Sequence, residues 1–309
     1  MDRRRVLKLG VASGLAWITS PRGRVRGRLL KFQNAVEADW LTLAVQQYSF
    51  NRQLRSGEMN ILDFPKTVVE GTGIKALEYF NGHIEDKRKD TAFFKQLRKR
   101  SDDLGAVNTM MLCRSKNAVD SPDAKIRKLA IEGYRPWLEA TRILGGKYIR
   151  VDTRHKGEAE KQKGFAVTGL RSLCKVADEY EMGILVENHG NHSGNGAWLA
   201  DVMKQVDLAN CGTLPDFQNF KEYDPYQGVT EMMPWAKILC AKAKSFDVNG
   251  DEENVDYRKM LKIAKAAGFR GELARGSFRS FTRSCLPRYS IGPNNFRTYP
   301  KHQIYQVCV

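Results

Sequence analysis

From residue 41 onward, short apolar runs alternate with longer stretches whose apolar positions recur every three or four residues. The runs suit buried strands, and the longer period suits helices packed by one face. Strands are expected at 43–50, 75–80, 107–113, 147–152, 183–189, 211–217, 238–243 and 269–274. Helices are expected between them at 61–71, 91–104, 123–144, 165–180, 196–206, 225–237 (broken at Pro234) and 255–267. Ser121-Pro122 is a helix-start pair, and Gly105, Gly145-Gly146 and Gly268 sit where helices should stop. Seven strand–helix pairs and the start of an eighth imply an α/β fold with a parallel sheet closed as a (β/α)8 TIM barrel. A doubly wound open sheet alternates in the same way, but no glycine-rich phosphate loop follows the first strand.

Charge changes the picture at the two ends. The net charge of +16 over 309 residues suggests a nucleic-acid binder until it is divided along the chain. Residues 1–32 carry nine basic residues to one acidic, and 269–309 carry seven to one, leaving 35 to 33 between them. A nearly neutral body argues against a DNA-binding face. At the N-terminus, Arg3, Arg4 and Arg5 precede an apolar run over 9–18, too short to span a membrane. This layout resembles a twin-arginine export signal, so an exported or periplasmic location is expected, and a cytoplasmic one if the signal is unused. A solvated basic arm is the plainer alternative. No acidic residue follows Glu272, and the eighth strand and the C-terminus are expected to be aberrant. An irregular basic tail over 276–309 and translation of a shifted frame both remain open. The expected organisation is therefore a signal or arm at 1–32, a barrel at 33–275 and a tail at 276–309. Six cysteines without a C-x-x-C pair make a disulfide framework or a zinc ribbon improbable.

Chemistry in such a barrel gathers at the C-terminal ends of the strands. The stretch GILVENHG (183–190) puts Glu187 and His189 on one face of the fifth strand and Asn188 on the other. The other strand ends contribute Gln46, Gln47, Glu78, Arg150, Asp152, His155, Asp216, Cys240, Lys242 and Lys244. Carboxylates from separate strands meeting at one mouth repel unless a cation lies between them. A divalent metal would serve, and so would salt bridges to Arg150, Lys242 and Lys244.

Residues 43–271 resemble the xylose isomerase-like TIM barrel family of sugar isomerases and epimerases. The resemblance rests on LDFP (62–65), ENHG (187–190), NGAWLA (195–200) and GTLPDF-x-NF (212–220). It implies a divalent metal (Mn, Mg, Co or Zn) on Glu187 and Asp216. The implied reaction moves a proton between adjacent sugar carbons through an enediolate, with Glu187 and Lys242 as catalytic groups. His189, Glu78, Gln47 and Arg150 are implied as substrate-binding residues. The implied partner is a small sugar or sugar derivative, with no nucleic acid and no stable membrane span. Two departures stand out. Cys240 takes the place of a metal-binding histidine, and the place of a strand-eight glutamate falls near Gly276. A lyase or hydratase acting on oxidised 3-keto sugars, and a non-catalytic carbohydrate-binding barrel, are the alternatives. An abasic-site endonuclease is disfavoured by the neutral body and only five histidines.

Overall fold

The structure is a computed structural model that describes residues 40–247 and 251–275. The expectations for 1–32 and 276–309 lie outside the described residues. Among those described, eight parallel strands form one sheet in the order β6-β5-β4-β3-β2-β1-β8-β7. The strands are β1 (Leu41–Gln46), β2 (Ala76–Phe80), β3 (Val107–Leu112), β4 (Tyr148–Asp152), β5 (Gly183–Glu187), β6 (Cys211–Leu214), β7 (Ile238–Cys240) and β8 (Gly271–Arg275). The larger connecting helices are α1 (Phe64–Thr72), α2 (Thr91–Asp103), α3 (Ala124–Leu144), α4 (Ala159–Asp178), α5 (Gly196–Val206), α6 (Pro225–Met232) and α7 (Tyr257–Ala266). No helix among the described residues is long and apolar enough to cross a membrane.

The ring closes between β6 and β7 through two isolated parallel bridges, Thr213 with Ala236 and Asp216 with Cys240. Regular β6 stops at Leu214 because Pro215 has no N–H to give to a ladder. The Pro215 carbonyl still accepts from the Cys240 amide at 2.9 Å. The fold is thus the expected barrel, with its eighth strand in regular pairing as far as Arg275.

Alternation along the strands sorts the apolar residues into two cores. One, between sheet and helices, includes Leu77, Tyr79, Ile149, Val151, Ile184 and Val186. The other fills the barrel with Ala44, Ala76, Phe80, Met110, Leu112, Leu185, Leu214, Ile238, Cys240 and Ala274.

Several boundaries differ from those read off the sequence, each for a local reason. The first strand ends at Gln46 rather than residue 50. The buried Gln47 carbonyl oxygen accepts the Phe80 amide at 3.2 Å, which turns the chain into a 3-10 segment over Gln47–Phe50. Helix α4 starts at Ala159, well before residue 165, because the Glu158 carboxylate caps the amides of Glu160 and Lys161. Side chains of Asp90, Asp123, Asn195, Asp224 and Asp256 cap α2, α3, α5, α6 and α7 in the same manner.

Gly169, inside α4, touches the loop before α3 so closely that a Cβ there would overlap the Val119 carbonyl oxygen. An alanine in a helix interior ordinarily stabilises by about 1 kcal/mol over glycine. Here Gly169→Ala is expected to destabilise by roughly 1–3 kcal/mol through overpacking, read as a lower urea midpoint. A midpoint that rises would show that the contact between helix and loop yields freely.

Candidate functional site

Each strand presents its inward side chains in steps of two, and at the C-terminal rim these steps converge on one cleft. Its walls are Gln46 and Tyr48 from β1, Phe80 from β2, Leu112 and Arg114 from β3, and Arg150 from β4. Glu187, His189, Asp216, Cys240 and Lys242 complete them from β5, β6 and β7. The cleft opens to solvent and its cavity volume is about 40 Å³.

At its floor lies a buried network of charges. Arg150, only 3% exposed, pairs with Glu187 through both its Nε and a terminal nitrogen, and its other terminal nitrogen lies 2.8 Å from Asp152. The sheet register explains why. Asp152 and Glu187 stand side by side on β4 and β5, and two adjacent buried carboxylates require a cation. The second Glu187 oxygen accepts the Asn219 amide at 2.6 Å. The Asn219 carbonyl oxygen in turn accepts from Lys242 Nζ at 2.6 Å, and Lys242 lies 3.7 Å from Asp216 Oδ2. The other Asp216 oxygen accepts the Gln218 amide at 2.8 Å.

Asp216 is fixed from behind by Asn188, the residue that points away from Glu187 and His189. The Asn188 amide donates to the Asp216 carbonyl at 3.0 Å and accepts the Asp216 N–H at 2.7 Å. Burial pushes the Asp216 carboxyl up to about 7; Lys242 opposes the rise, and the Glu187 charge adds to it. Burial likewise raises the Cys240 thiol, with Asp216 and Glu187 adding to the effect, and Gln46 Nε2 donates to its sulfur at 3.6 Å. Burial lowers His189, against the pull of Glu187 and Asp152.

Of the residues singled out in the sequence, Glu187, Asp216, Lys242, Arg150 and His189 meet in this cleft. Glu78 and Gln47 stand outside its lining. Glu78 points inward one layer below Phe80, where burial holds its carboxyl well above the usual range, and neighbouring Glu272 adds to that rise. Gln47 has the opposite parity to Gln46, and its carbonyl oxygen lies 3.3 Å from His83 Nδ1. His155 gives its backbone amide to Asp120 at 2.8 Å. Sequence reasoning passed over Asn219, which ties Glu187 to Lys242. Its only signal was its place in the GTLPDF-x-NF string.

The profile of the xylose isomerase-like TIM barrel family matches residues 67–278, more than half of the chain. The chain belongs to this family. No protein of curated function matches its sequence. Among solved structures it is similar to the IolI protein with a bound zinc atom, at 17% identity and a TM-score of 0.63, over 77% of this chain and 89% of that one. It is also similar to 3-keto-D-glucoside 4-epimerase YcjR from E. coli, at 14% identity and a TM-score of 0.62, over 79% and 95%. D-psicose 3-epimerase with D-tagatose from Clostridium cellulolyticum H10 shares 16% identity and a TM-score of 0.62, over 79% and 88%. At these identities the likeness establishes the shared barrel.

A xylose isomerase-like barrel invites a metal on Glu187 and Asp216, but the donors here do not fit one. Both Glu187 oxygens are engaged, by Arg150 and by Asn219, and Asp216 faces Lys242. Among the described residues no three His, Cys, Asp or Glu side chains form a group able to hold an ion.

The raised Asp216 carboxyl has a consequence for stability. The folded state keeps a proton that the unfolded chain releases near pH 4. This contribution is full below that pH and is lost as pH rises through about 7. Between about pH 5 and 8 the melting temperature is expected to fall more steeply in the wild type than in Asp216→Asn. Parallel melting curves for the two proteins would contradict the assignment.

Proposed function

We propose that the mouth binds a small sugar or sugar derivative bearing a carbonyl and moves a proton between neighbouring carbons, as an isomerase or epimerase does. One observation carries the reading. A buried carboxyl pair, Glu187 and Asp216, lies between two fixed cations, Arg150 and Lys242, at the floor of an open cleft. A C–H beside a carbonyl gives up its proton only where the resulting enediolate charge is held, and preorganised cations hold it well. A carboxyl near neutral pKa suits the transfer in both directions.

Asp216, ionised, takes the proton from one carbon while the electron pair moves onto the carbonyl oxygen. The carboxyl then returns the proton to the former carbonyl carbon while the hydroxyl of the neighbouring carbon passes its own proton to the oxyanion, so the carbonyl moves by one carbon. The cycle consumes nothing else. Glu187, fixed by Arg150 and Asn219, sets the electrostatics of its partner, and Lys242 faces the developing oxyanion. Tyr48, Phe80 and Leu112 give the cleft an apolar wall that limits water. Membership of a sugar isomerase family supports this reading, and so do the names of the two epimerases that share the fold.

The test is proton exchange. The full chain is incubated in D₂O with a panel of ketoses and 3-keto sugars, once with Mn²⁺ and once with EDTA, and followed by NMR. Deuterium is expected at a sugar carbon next to the carbonyl. Lys242→Met is expected to slow its uptake by about 10²-fold, the scale for losing one oxyanion-stabilising group. Tight sugar binding without any exchange would instead favour the carbohydrate-binding alternative.

A further inference from the structure

We infer that this barrel neutralises its buried acids with its own cations and takes no divalent ion: Arg150 stands against Glu187 and Asp152, and Lys242 against Asp216, where the family places a metal. The first ground is geometric. Each Glu187 oxygen already holds a fixed partner, the Arg150 guanidinium on one and the Asn219 amide on the other. One Asp216 oxygen is held by the Gln218 amide, and the second faces Lys242 Nζ at 3.7 Å. An ion close enough to ligate both carboxylates would lie against two positive side chains, themselves 3% and 8% exposed, with little water to screen the repulsion.

The second ground starts from the sequence. Cys240 replaces the histidine that the family resemblance implies, and its sulfur accepts from Gln46. No Asp or Glu follows Glu272, so no strand-eight carboxylate exists beyond it. Glu272 itself is turned toward Glu78 and accepts the Thr109 hydroxyl at 2.8 Å, below the cleft. Loss of two ligands and engagement of the other two by fixed cations agree with each other. On the proposed proton transfer, which this inference takes as its setting, Arg150 and Lys242 then supply the positive charge that holds the enediolate.

The experiment reads metal binding directly, so it stands whether or not a sugar is turned over. The purified full chain is analysed for bound metals, titrated with Mn²⁺ by calorimetry, and melted with and without EDTA. The expected result is no stoichiometric metal, no saturable Mn²⁺ heat and an unchanged melting temperature. One Mn²⁺ per chain bound in the micromolar range would overturn the inference.

A double variant, Arg150→Met with Cys240→His, removes the guanidinium and restores a ligand. It is expected to show the saturable Mn²⁺ heat that the wild type lacks. A folded double variant that stays indifferent to Mn²⁺ would overturn the role given to Arg150 in keeping the ion out. If that variant does not fold, the wild-type titration decides alone. Absence of sugar exchange with absence of metal refutes the proposed function and leaves this inference standing.

Discussion

Two carboxylates brought side by side inside a sheet impose a condition on everything near them. Register pairs Asp152 with Glu187 on neighbouring strands, both facing into the barrel. Neither is solvated, so both rely on the guanidinium that reaches them from two positions back along β4, and Asp152 also lies 3.3 Å from Arg154 Nε. Removing one partner from a buried pair typically costs about 3–5 kcal/mol, because the other charge is left without compensation. The positions of Asn219, Lys242 and Asp216 follow outward from this contact. Asn219 completes the shell of Glu187, Lys242 completes that of Asn219, and Asp216 lies opposite Lys242.

Much of the architecture was legible because the two periodicities are so distinct. Strands such as GILVE and helices such as α3 and α5 fall where the apolar pattern puts them. Boundaries were harder where side chains override pattern. The apolar run after Gln46 continues through Phe50, and nothing local reveals that Gln47 will accept the Phe80 amide and end the strand. A glutamate cap at Glu158, followed by a polar first turn, hid the start of α4.

Parity explains what was and was not visible in the site. Glu187 and His189 share a face, as the spacing of two requires, and both line the cleft with Gln46, Arg150, Cys240 and Lys242. The same rule assigns Gln47 to the outer face. Salt bridging among the rim charges was one of two readings open from the sequence, and the geometry of Arg150 and Lys242 accords with it. What no spacing could reveal is the chain of contacts from Glu187 through Asn219 to Lys242, since it joins residues 32 and 23 positions apart.

The seam between β6 and β7 has a mechanical meaning. Around the rest of the ring, neighbouring strands are stitched by ladders of three or more paired residues, whereas here two isolated bridges carry the join, and one of them involves Asp216 and Cys240. The Asn188 amide acts as a rivet that ties Asp216 to β5 instead. Any spreading of this joint would therefore leave the aspartate with the β5 wall and carry the lysine off with the other. The distance between Asp216 and Lys242 is thus set by the most thinly sewn part of the barrel.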